Sequence, residues 1–78
     1  MKSLTKVYTV KKTEGAETYW TEKFNNALDA QELAQSIICK ESKYYEVIRT
    51  VSEELCEVYT FVYNGRQFFD LSITISYV

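Results

Sequence analysis

The sequence predicts a small α+β fold, β-β-α-β-β-β, with one helix packed on an antiparallel sheet. Three observations carry that prediction. Asn64-Gly65 stands between two β-patterned runs and fits a two-residue hairpin loop. Ala30, Leu33, Ala34, Ile37 and Ile38 recur at helical spacing as one apolar stripe. The remaining apolar residues gather in short runs rich in Val, Tyr, Ile and Thr, which suit a pleated surface. With 78 residues, two glycines and no proline, the chain reads as one domain, 1–78, made nearly all of regular structure.

Leu4–Lys12 reads as the first strand, and Thr13-Glu14-Gly15-Ala16 as a turn in which Gly15 takes positive φ. Glu17–Phe24 follows as a strand carrying Trp20 and Phe24 on one face. Asn26 is placed as a helix N-cap, and Asp29 brings negative charge to the first helical turn. The helix covers roughly residues 27–41, with Gln31, Glu32, Gln35 and Ser36 off the apolar stripe. Lys43–Val51 reads as the next strand, then a turn at Ser52-Glu53-Glu54. A three-residue loop there sets Arg49 against Glu57 and Tyr45 against Phe61. Without Gly or Asn in that loop the pairing is open to a one-residue slip, which turns every side chain over.

Leu55–Tyr63 and Arg66–Tyr77 are the final two strands, joined by Asn64-Gly65. Uninterrupted pairing sets Tyr63 against Arg66, Phe61 against Phe68 and Tyr59 against Asp70. Cys56, Val58, Val62, Phe69, Leu71, Ile73 and Ile75 then form the helix-facing set. Tyr59, Phe61, Tyr63, Arg66 and Phe68 form the opposite set, with Asp70 and Glu57 alongside. One short helix seals one side of a sheet, so this second face is expected to be an aromatic contact surface, with Tyr45 joining it. The competing arrangement has Trp20 and the first hairpin curl over that face to close a small barrel or sandwich.

Composition narrows the chemistry. With no histidine, His-based acid–base catalysis, Ser-His and Cys-His nucleophile pairs and His-ligated metals are excluded. Cys39 and Cys56 lack the further ligands that a structural zinc site needs and read as reduced thiols. Gly15 and Gly65 are isolated, so there is no phosphate-cradling loop. Glu53-Glu54 reads as a solvated turn and not as a catalytic pair. The expectation is a protein with no enzymatic activity, no cofactor and no metal.

A formal net charge of −2 argues against nucleic acid as the main partner, since Lys2, Lys6, Lys11, Lys12 and Lys23 are interleaved with Glu14, Glu17 and Glu22. The alternative is a small nucleic-acid-binding module that stacks bases on the aromatic face. The start Met1-Lys2-Ser3-Leu4-Thr5-Lys6 does not read as a secretory leader, and no apolar window is long enough to span a bilayer. A cytoplasmic location is expected.

The stretch Tyr19-Trp20-Thr21-Glu22-Lys23-Phe24, the helix start Leu28-Asp29-Ala30-Gln31-Glu32-Leu33-Ala34 and the strand Tyr44-Tyr45-Glu46-Val47-Ile48 resemble small phage- or prophage-encoded accessory proteins. The resemblance covers about half the chain, is one of overall style, and carries no site residues. It implies a single-domain, non-enzymatic binder that blocks a host defence enzyme such as a CRISPR or restriction nuclease. The expected function is a protein–protein interaction module. Its contact residues are Tyr45, Tyr59, Phe61, Tyr63, Arg66 and Phe68, and it engages a host enzyme, a second copy of itself as a homodimer, or both.

Overall fold

The computed structural model describes residues 4–78. Met1, Lys2 and Ser3, on which the reading of the chain start partly rests, lie outside the described residues. The elements are β1 (Lys6–Glu14), β2 (Glu17–Phe24), α1 (Ala27–Glu41), β3 (Glu46–Glu53), β4 (Cys56–Tyr63) and β5 (Arg66–Tyr77). They build one antiparallel five-stranded sheet in the order β2-β1-β5-β4-β3, with α1 on one face. The small α+β architecture is therefore as the sequence predicts. The first hairpin extends the sheet edgewise, so neither a barrel nor a sandwich is formed.

The helix follows its local signals. The Asn26 side-chain oxygen accepts a hydrogen bond from the Asp29 backbone N–H at 2.9 Å, which satisfies one orphan donor of the first turn. At the other end the Ser42 hydroxyl donates to the Cys39 carbonyl at 2.9 Å. Ala30 and Ala34 are fully enclosed, while Leu33, Ile37 and Ile38 pack at the margin of the core. Small residues in mid-stripe let the helix lie close on Val10 and Leu71, which are also fully buried.

Strand boundaries differ from the sequence reading where local signals were weakest. β1 runs on through Thr13 and Glu14, so the turn is only Gly15-Ala16, with Gly15 at φ +58°. Residues 43–45 form a turn and bend after the helix, and β3 begins at Glu46. The β3–β4 loop is Glu54-Leu55, not Ser52–Glu54, and a register shift falls between Arg49 and Val51. Arg49 consequently faces Tyr59, and Val47 faces Phe61.

The decisive difference lies in the last hairpin. Asn64 (φ +52°) and Gly65 (φ +74°) form the expected two-residue turn, and Tyr63 pairs with Arg66 and Val62 with Gln67. The register then shifts by one, and Phe61 pairs with Phe69, Tyr59 with Leu71 and Glu57 with Ile73. Phe68 is the extra residue of a β-bulge. Paired residues share a face, so Tyr59 and Phe61 join Phe69, Leu71 and Ile73 on the helix side. Val58 and Val62 turn to the open side, the reverse of the sequence expectation. Phe61 is 0% exposed and belongs to the core, which removes it as a contact residue.

Candidate functional site

Three chain segments converge at one end of the molecule: the turn after α1, the β4–β5 hairpin tip and the β1–β2 turn. Lys43, Tyr44, Tyr45, Tyr63 and Phe68 line an open depression there of about 500 Å³. Tyr44 and Tyr63 are 68% and 53% exposed, and they share this depression with Phe68. Behind Phe68 a second depression of about 240 Å³ is lined by Glu14, Gly15, Gln67, Phe68, Phe69 and Asp70. Phe68 is thus a shared wall, aromatic on one side and edged by carboxylates on the other.

The rings are held from beneath. Tyr45 meets Phe61 edge-on at 6.4 Å between centroids, Phe69 edge-on at 5.4 Å and Phe68 at 5.5 Å. Phe61 and Phe69 stack at 4.4 Å with 16° between planes. Lys12 Nζ stands 4.2 Å from the centroid of Phe69, and the Arg66 guanidinium lies 5.8 Å from that of Phe68. Tyr45 therefore links the buried pair Phe61–Phe69 to half-buried Phe68 and exposed Tyr63, whose centroids are 6.2 Å apart. An anchored, pre-positioned ring loses little conformational freedom on contact, which favours binding over a freely rotating one.

Of the sequence-predicted residues, Tyr45, Tyr63, Arg66 and Phe68 come together at this end. Tyr45 arrives from the bend after the helix instead of from a strand. Phe61 is the buried support. Tyr59 sits elsewhere, in a groove between α1 and β4 lined by Gln31, Ala34, Gln35, Glu57 and Ile73. Its hydroxyl donates to a Glu57 carboxylate oxygen at 3.1 Å. Desolvation, then the hydrogen bond to Glu57 and the Glu57 charge, raise its pKa above the ordinary 10.0, against a lowering influence from Arg49. Lys43 and Tyr44 are the residues the sequence reading missed. The signal was a Lys-Tyr-Tyr run directly after a helix end, but without Gly or Pro it resembled a strand start.

Among the described residues no group of three or more Cys, Asp or Glu side chains is placed to hold a metal ion, and no helix is long and apolar enough to cross a membrane. The arrangement offers flat aromatic surface with two cations beside it, which suits contact with a macromolecular surface more than enclosure of a small molecule. In comparisons with known proteins, no family model, no curated sequence and no solved structure matches the chain.

Proposed function

We propose that this chain is a non-enzymatic protein-binding module that docks through its aromatic end, with Tyr44, Tyr63 and Phe68 as the contact rings. The observation that carries the reading is the convergence of exposed Tyr44 and Tyr63 with Phe68 in one depression, where Phe68 rests through Tyr45 on the buried rings. Interface energy concentrates in a few aromatic and arginine side chains at the centre of a patch, and Arg66 and Lys43 supply positive charge for an acidic rim on the partner. The resemblance to phage accessory proteins makes a bacterial CRISPR or restriction nuclease the first partner to test.

Stacked single-stranded nucleic acid is the second reading, since rings flanked by Lys43 and Arg66 are also what base stacking uses. The carboxylates of Glu14 and Asp70 just behind Phe68 oppose it, because they repel a phosphate backbone crossing that wall.

The test compares the unaltered chain with Tyr63→Ala and Phe68→Ala in affinity capture from the native host, then measures affinity for the captured protein by calorimetry. Each substitution weakens association by about 1–3 kcal/mol while the far-UV circular dichroism stays native. Equal capture by all three chains overturns the assignment of the surface. Salt-sensitive retention on heparin or single-stranded DNA, lost in Tyr63→Ala, transfers it to the second reading.

A further inference from the structure

The two depressions at the aromatic end differ in charge. Among the described residues, the larger, of about 500 Å³, has Lys43 beside its tyrosine and phenylalanine walls and no carboxylate. The smaller, of about 240 Å³, has Glu14 and Asp70 and no cation. Phe68 lines both, so the sign of the charge changes across a single residue.

Local structure fixes where these charges leave the chain. Backbone hydrogen bonds of 2.9 Å, from Ser42 to Ile38 and from Tyr44 and Tyr45 to Glu41, close the turn that carries Lys43. Glu14 accepts the Tyr19 hydroxyl, and Asp70 stands in the β5 ladder between Thr13 and Thr60. Neither Lys12 nor Arg66 lines the smaller depression. Lys12 Nζ lies over the rings of Phe69 and Tyr19 at 4.2 and 5.5 Å, and the Arg66 guanidinium over that of Phe68 at 5.8 Å.

From this geometry we infer that the aromatic end takes a protein segment in which an apolar side chain stands between an acidic and a basic one. The inference rests on the reading of this end as a docking surface and names the chemistry of what docks there. The apolar side chain enters the larger depression beside Tyr44 and Tyr63, and the acidic one meets Lys43. The basic one crosses Phe68 to Glu14 and Asp70. An extended segment advances ~3.3 Å per residue, so neighbouring side chains of a few residues straddle a wall one ring wide. A uniformly charged occupant meets like charge in one depression or the other, which disfavours a polyanion and a basic tail alike. A single exposed ion pair changes affinity only about two- to fivefold. The rings therefore supply most of the affinity, and the charges select the occupant.

Proton–nitrogen correlation NMR of the labelled chain, titrated with the end-capped tripeptides Glu-Trp-Lys, Glu-Trp-Glu and Lys-Trp-Lys, tests the inference. Glu-Trp-Lys shifts the Tyr44, Tyr63 and Phe68 peaks and binds at least about threefold more tightly than either of the others. Asp70→Lys turns the preference to Glu-Trp-Glu, and Lys43→Glu turns it to Lys-Trp-Lys, with a native peak pattern verifying each fold. Asp70→Asn, the milder change, narrows the preference over Glu-Trp-Glu. Equal affinity for the three peptides overturns the charge selection and leaves the docking surface standing. A preference of the unaltered chain for either uniformly charged peptide overturns it, Glu-Trp-Glu pointing to a polyanion. Movement of the same peaks on dilution of the chain alone overturns it in favour of a second copy. No shift with any peptide also overturns it, and the capture comparison then decides the docking surface by itself.

Discussion

Truncating Phe61 to alanine removes a ring that is 0% exposed, stacked on Phe69 at 4.4 Å and met edge-on by Tyr45 at 6.4 Å. Burial of a phenyl ring and the cavity left by its loss together are worth about 3–5 kcal/mol. The two ring pairs place Phe61 in the upper part of that range, since each adds about 0.5–1.5 kcal/mol beyond buried area. A domain of 78 residues at roughly 0.05–0.15 kcal/mol per residue holds only about 4–12 kcal/mol in all. The substitution therefore removes a third or more of the total stability. Urea unfolding followed by far-UV circular dichroism measures it, with the slope against denaturant showing whether the unfolding unit is unchanged. Tyr63→Ala, at a position 53% exposed, is the control and costs no more than about 1 kcal/mol. A loss below about 1 kcal/mol for Phe61→Ala, at unchanged slope, refutes the placement of Phe61 in the core.

The other predictions concern the cap, the turn and the groove. Asn26→Ala removes the acceptor of the Asp29 N–H and lowers stability by about 1 kcal/mol in the same urea assay. Asn26→Asp keeps that acceptor but sets a carboxylate against Asp29, whose Oδ2 accepts from the Asn26 amide at 2.9 Å, and so recovers only part of the loss. Gly65→Ala meets no atom within 4 Å, so its cost is torsional alone, about 1–2 kcal/mol from the φ of +74°. Tyr59 titrates above the ordinary tyrosine range in an ultraviolet titration, and Glu57→Gln lowers it only part of the way, because burial remains. Because the folded state holds that proton more tightly than the unfolded one, its stabilising contribution is complete below pH 10.0 and fades as pH rises through the folded value. Alkaline unfolding is therefore shifted to lower pH in the unaltered chain than in Tyr59→Phe.

The legible parts of the fold were those with a local cause. The helix is specified by a five-residue stripe and an Asn cap, and the last hairpin turn by two residues that accept positive φ. Strand order was not legible, because nothing in β1 or β2 announces that β1 pairs with β5. The faces of β4 were misread because strict alternation assumes an unbroken ladder, and a single inserted residue inverts that assumption. Tyr45 reached the aromatic cluster although its strand assignment was wrong, since a ring on a short connection still reaches the nearest apolar edge. Four of the six expected contact residues gather at one end, while the shifted register buries Phe61 beneath them and carries Tyr59 into the groove beside α1.

The bulge itself follows from which surface the helix must cover. Without an extra residue, Phe68 stands opposite Phe61, and Asp70, Ser72 and Thr74 follow it onto the helix side. If Tyr59 and Phe61 are kept on the helix side, the stripe of α1 then meets a polar β5 and Phe69, Leu71 and Ile73 go to the open face. Turning the ladder over restores those three and sends Tyr59 and Phe61 outward instead. Inserting one residue costs a ladder hydrogen bond, about 1 kcal/mol net. It returns Phe69 and Leu71 to the core, where they are 9% and 0% exposed, and burial of each is worth about 1.5–3 kcal/mol. The gain exceeds the cost several-fold, so the shifted register wins. Phe68 is the residue left over: held near Phe69 by the chain and near Tyr63 by the turn, it stays half-buried at the rim. The aromatic end is therefore built by the same one-residue insertion that completes the core.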